Sequence, residues 1–272
     1  MKVFANSVQK SGTHLLLQLL ALLGVPRYPR WRLDPEWTRE RSVGKRLLMR
    51  PPGVGRPIPI GQGVDASSWW IERLAAAMPE PSSLLGHASW SPELAALLDE
   101  VGLRTVCIVR DPRDVVVSYA HFVVKIGKDK ITRRPEHKAL MALPDHAARL
   151  RVMIEGNDGT ASVPARFRAF LPWRSQPGVL VLRFEDLVGG AGGGDDATQR
   201  REVGRIAQFL GQTLEGDDLS QVCRSVWGGT PTFRKGQIGE WREELTPALL
   251  ELVHREMDQL LVELGYETSA KW

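Results

Sequence analysis

Cysteine is nearly absent from this chain. Cys107 and Cys223 are the two in 272 residues, too few for a disulfide framework or for paired-cysteine metal spacing. A reducing, cytoplasmic compartment is the natural expectation. Long apolar runs are also missing. No stretch approaches the roughly 18 residues that cross a bilayer, and the apolar segment 15–25 is short and follows a polar loop. No signal peptide is expected either, because a buried strand is predicted to start at Val3. A large charge of one sign is lacking too. The net charge is +4, enough to favour an anionic ligand and too weak to argue for nucleic acid by itself.

What is present has the pattern of an α/β protein. Residues 3–8 read as a buried strand, 9–13 as a tight polar loop and 15–23 as a helix stopped by Gly24 and Pro26. Strands are predicted at 83–86, 104–109 and 178–184. Helices are predicted at 68–78, 92–101, 114–124, 146–155, 165–171 and 198–210, with a long C-terminal one opening at Thr246-Pro247. Near-continuous apolar strands alternating with helices indicate a central parallel sheet, with ligands at its carboxyl edge. Residues 189–194, nearly all glycine, read as a flexible surface loop. One domain over 1–272 is expected, with irregular substrate-side insertions at about 27–65 and 123–145. Within 27–56 nine basic residues face three acidic ones.

Three constellations carry chemistry. Lys10-Ser11-Gly12-Thr13 lies between a strand and a helix, where backbone N–H groups and the helix dipole favour phosphate. Its lysine precedes the glycine, unlike the Gly-Lys-Ser/Thr ending of a P-loop. At 110–118 a strand ends on Arg110, in Arg-Asp-Pro-Arg-Asp, and Ser118 follows on the next helix. An arginine fork suits a phosphate. Third is Phe233-Arg234-Lys235-Gly236 with Gly239-Glu240-Trp241, two adjacent cations between small residues. Each has a bland alternative as a turn or a solvated basic loop.

Taken together and in this order, they resemble the PAPS-dependent sulfotransferase family, its cytosolic type, over nearly the whole chain. PAPS is 3'-phosphoadenosine 5'-phosphosulfate. The resemblance implies a P-loop-like three-layer fold and transfer of a sulfuryl group to a hydroxyl or amine. It implies that Lys10, Ser11, Gly12, Thr13 and His14 hold the 5' phosphosulfate. Arg110 and Ser118, with Arg234, Lys235 and Gly236, would hold the 3' phosphate. Phe184 and Trp227 are further donor-binding candidates: Phe184 stands where the family has a tyrosine, and Trp227 is an alternative adenine partner because Leu15 replaces the usual stacking tryptophan. His87, 23 residues before Arg110 at the end of a short strand, matches the catalytic base, and Lys10 would stabilise the leaving group. No metal is implied, since a sulfuryl group carries less negative charge than a phosphoryl group.

Gln9 and His14 depart from the family loop. Arg242, Thr246 and Glu251 hold the spacing of the family's dimer segment, with Pro247 where valine is usual, so a homodimer through 242–251 is a possible partner arrangement. The expected acceptor is a natural product, sugar or lipid-like molecule. It would be lined by 27–65, Trp69, Trp70 and 122–144, with Trp31, Trp37, Trp90 and Trp173 as further aromatics, some of them core. Two other classes compete: a nucleotide kinase on the same fold, and a non-catalytic binder of RNA or another polyanion.

Overall fold

The computed structural model describes residues 1–35, 38, 53–128, 135–228, 236–270 and 272. Arg234, Lys235, Trp37 and most of the basic stretch 27–56 lie outside the described residues. The chain divides into two compact units. One comprises Met1–Val8, Gly12–Val109 and Phe170–Gly236. The other comprises Gln9–Ser11, Arg110–Ala169 and Gln237–Trp272.

The first unit is built on a parallel sheet. In chain order its elements are β1 (Lys2–Ser7), α1 (Thr13–Leu22), β2 (Arg27–Leu33), β3 (Pro57–Gly61), β4 (Val64–Ser67), α2 (Ser68–Ala77), β5 (Ser82–Gly86), α3 (Pro92–Glu100) and β6 (Leu103–Val109). The sheet runs β2-β5-β1-β6-β7, where β7 is Leu180–Arg183, with every neighbouring pair parallel. Val3 to Ser7 of β1 are all buried, as a central strand covered on both faces must be. Gly86 sits where a Cβ would collide with the Phe4 ring of the adjacent strand, so β5 needs its terminal glycine to pack. β1 lies between β5 and β6. The chain leaves it toward β2 on one side, while β6 is followed by β7 on the other. This makes the carboxyl edge around β1 a topological switch point, where α/β sheets bind ligands.

Much of this matches the expected elements, including Ser91 Oγ capping α3 through Leu94 N–H at 3.1 Å. Two expectations are corrected in this unit. Residues 27–65 were read as irregular, yet β2 joins the main sheet and β3 and β4 form an antiparallel hairpin. The prolines at 29, 57 and 59 hid these strands, and they stand on edge strands, where a missing N–H is tolerated. The glycine run 189–194 is not a loose loop. It turns through a 3₁₀ segment, Gly190–Gly192, closed by Gly194 N–H to the Gly189 carbonyl at 2.8 Å. The unit continues with α8 (Asp196–Phe209) and α9 (Gly216–Val226). The sequence reading missed α9, whose buried face is only Val222, Cys223 and Val226.

The second unit is helical. It contains α4 (Pro112–Lys128), α5 (Pro135–Met141), α6 (His146–Glu155), most of α7 (Val163–Phe170), α10 (Trp241–Glu244) and α11 (Pro247–Leu264). Residues 123–145 were expected to be an irregular insertion. Instead α4 runs on to Lys128 and Pro135–Met141 is helical. α11 buries Leu249, Leu252, Val253, Met257, Leu260, Leu261 and Leu264, each burial worth about 1.5–3 kcal/mol. Thr246 Oγ1 caps its start at Leu249 N–H, and Gly265 ends it in a left-handed conformation.

Candidate active site

In the first unit β1 ends at Ser7 and β5 ends one residue before His87. The half-buried His87 ring places Nδ1 3.0 Å from the Ser7 carbonyl oxygen and 3.3 Å from Ser7 Oγ. A carbonyl only accepts, so Nδ1 carries the proton and Nε2 holds the basic lone pair. This tautomer is assigned by the chemistry of the contact. Ser7 Oγ is also 2.5 Å from Thr13 Oγ1. The backbone beside His87 is fixed separately. Asn6 Nδ2 donates to the Ala88 carbonyl at 3.0 Å, and Ala88 N–H donates to Asn6 Oδ1 at 2.9 Å. His87 N–H donates to the Leu33 carbonyl at 3.0 Å. Ser7 and Asn6 escaped the sequence reading because a strand-end Ser or Asn carries no spacing signal.

Gly12 is the N-cap of α1, with φ +99°. Having no side chain, it leaves the first-turn N–H groups of the helix without a side-chain cap. A Cβ on Gly12 would lie 2.8 Å from Phe184 Cδ2 and 3.1 Å from Ile108 Cδ1. Phe184 is buried, so its ring sets the close packing under the loop. His14 is half-buried in the first turn of α1. Trp227 stands just past α9, its Nε1–H 3.5 Å from the Gly236 carbonyl. Among the tryptophans named for the acceptor side, Trp70 and Trp173 are core residues. Trp31 meets Trp70 edge to face at 5.8 Å.

In the second unit Lys10 is also left-handed, at φ 71°. The Lys10 ammonium lies 4.1 Å from the centre of the Phe122 ring. Ser11 Oγ is buried and has no hydrogen-bond partner among the described residues. An orphan hydroxyl of this kind normally costs on the order of 1–3 kcal/mol.

Arg110 follows β6 directly and is buried. Its Nη2 donates to the Gln237 carbonyl at 2.8 Å and lies 3.5 Å from Asp114 Oδ2. Asp114 in turn accepts from Gly239 N–H at 2.8 Å and Trp241 N–H at 3.1 Å. Burial pushes the Asp114 carboxyl above its ordinary range, against the pull of Arg110 and the Gly239 N–H. The chain just after Arg234-Lys235 is therefore held by the start of α4. Ser118 is half-buried two turns along that helix. Asp111 and Arg113 were read only as part of a turn. Arg113 is fully buried, pairs with both Asp111 oxygens and with Glu267, and stacks on the Trp241 and Trp272 rings at 4.1 and 4.5 Å. It ties the start of α4 to the C-terminal tail.

The sulfotransferase domain family matches residues 1–227. Sulfotransferase 2A1 of Macaca fascicularis is 23% identical over 284 residues, covering 95% of this chain and 83% of that protein. A 3-beta-hydroxysteroid sulfotransferase of Cavia porcellus is 25% identical over 268 residues, covering 89% and 77%. Among solved structures, mouse sulfotransferase SULT7A1 complexed with PAP gives a TM-score of 0.60 at 17% identity, covering 97% of this chain and 86% of that one. Retinol dehydratase in complex with androsterone and the inactive cofactor PAP gives 0.60 at 17%, covering 96% and 80%. With its α/β P-loop-like fold and a family match over most of its length, the chain belongs to the sulfotransferase family and is an enzyme of that class.

Proposed function

We propose that this enzyme moves a sulfuryl group from PAPS to the hydroxyl of a small, largely apolar acceptor. The carrying observation is the 3.0 Å contact between His87 Nδ1 and the Ser7 carbonyl oxygen, which makes Nε2 the basic nitrogen of the ring. It would take the acceptor's hydroxyl proton as the new O–S bond forms. A neutral imidazole suits this role near pH 7, and the Ser7 carbonyl stabilises the imidazolium that results. The bound donor supplies the activated sulfuryl group on a phosphate leaving group.

The residues present fit such a donor. Ser11 Oγ is a buried hydroxyl without a hydrogen-bond partner among the described residues. The Gly12-capped start of α1 offers its N–H groups. Lys10 would neutralise charge on the leaving phosphate. Arg110, Ser118, Arg234, Lys235 and Gly236 would bind the 3' phosphate, and His14, Thr13, Phe184 and Trp227 complete the donor-binding set. Positioning and charge stabilisation do most of the work in such in-line transfers. None of these residues needs a metal for its role.

The acceptor class draws support from a relative named for steroid hydroxyls. A cytoplasmic location and pairing through residues 242–251 belong to the same reading. Among the described residues no helix is long and apolar enough to cross a membrane. Calorimetric titration with adenosine 3',5'-bisphosphate and with ATP separates this reading from a kinase. The bisphosphate is expected to bind at least tenfold more tightly, and a preference for ATP would overturn the assignment. A transfer screen over steroids, phenols, sugars and nucleosides then identifies the acceptor.

A further inference from the structure

Within the second unit, three side chains from distant parts of the sequence meet with their ligating atoms together. His121 lies on α4, His146 opens α6 and Glu244 ends α10. His121 Nε2 is 2.8 and 2.7 Å from the two Glu244 oxygens, and His146 Nε2 is 2.8 Å from Oε2. The imidazole centroids are 4.5 Å apart, and all the ligating atoms lie within 4.8 Å of one another. The side chains are 34%, 35% and 19% exposed, neither buried in the core nor loose on the surface. None of the three belongs to the residues proposed above for sulfuryl transfer.

We propose that His121, His146 and Glu244 form a binding site for a divalent transition metal of the zinc class. Two imidazoles and one carboxylate are a recurrent zinc ligand set. Imidazole nitrogen selects zinc, copper or nickel over magnesium, which prefers oxygen. Ligands of a tetrahedral zinc stand about 3.3 Å apart, given bonds of about 2.0–2.1 Å. The present 2.7–2.8 Å contacts therefore need to open by about half an ångström. Partial exposure supplies an entry path and a water for the fourth position.

The ion would join the far end of the 237–244 segment to α4 and α6. The near end of that segment is already held by Arg110 and Asp114. Because such an ion binds the folded chain, it stabilises it by mass action.

The test uses the full chain stripped with a chelator, then titrated with zinc chloride or magnesium chloride. Calorimetry and thermal unfolding are the readouts, with circular dichroism checking each fold. One zinc per chain is expected, with a Kd in the micromolar range or tighter and a raised Tm, and no such effect from magnesium. H121A, H146A and E244Q should each weaken zinc binding at least tenfold. In the unaltered chain, zinc should shield His121 and His146 from diethyl pyrocarbonate, read by peptide mass. That measurement decides the matter if a variant fails to fold. Binding no tighter than magnesium, unchanged affinity in folded variants, or modification of both histidines despite zinc would each overturn the site.

Discussion

At the residue scale, the proposed chemistry turns on which nitrogen of His87 carries the proton. The Ser7 carbonyl decides it, and a carbonyl cannot be removed by changing a side chain. His87→Ala should therefore cut kcat by roughly 10²–10⁴-fold, while adenosine 3',5'-bisphosphate binds within a few fold of normal in calorimetry. Ser7→Ala removes only the 3.3 Å hydroxyl contact and the Thr13 pairing. Its kcat loss in a steady-state assay should stay under about tenfold, because Nδ1–H keeps its main-chain acceptor. A loss as deep as that of His87→Ala would show that the hydroxyl, and not the carbonyl, orients the ring. The sequence pointed to His87 through its place after a short strand and before Arg110. It did not point to Asn6 or Ser7, because their roles depend on the register of β1 against β5.

At the scale of elements, the loop from β1 to α1 has the most exacting geometry. Two of its residues are left-handed, and Gly12 packs on Phe184. Gly12→Ala should destabilise the chain by about 1–3 kcal/mol, read as a lower urea midpoint. A midpoint unchanged from the parent would mean that Phe184 moves away freely. The strand β6 makes a second prediction. Cys107 is fully buried there, and burial pushes its thiol far above the ordinary range. Burial also raises the Cys223 thiol. Neither should react with iodoacetamide at pH 8 until the chain is unfolded, and rapid labelling of either in the native protein would contradict the packing of its element.

The long periodic elements were legible beforehand. α11 could be read from its leucines and its Thr246 and Gly265 boundaries, and β6 from its apolar run. β2 and β3 were not, because proline at edge positions looks like loop in a single sequence. α5 was hidden by its short length and polar composition, and α9 by a buried face of three residues.

At the scale of the whole molecule, the order of three motifs carries the family resemblance in the sequence, although relatives are only about a quarter identical or less. Motif residues are legible because phosphate chemistry restricts which side chains and glycines can serve. Supporting residues are not, since Arg113 reaches Glu267 and Asp114 reaches Trp241 across more than a hundred residues. Sequence separation also hid the meeting of His121 and His146 with Glu244, 123 and 98 residues away.

The most direct test of the account measures release of adenosine 3',5'-bisphosphate from PAPS, in the presence of a mixed hydroxyl-acceptor panel, by the parent enzyme and by His87→Ala. The account predicts acceptor-dependent release by the parent and its near-complete loss in the variant, with bisphosphate binding retained. Equal release by both proteins would contradict it.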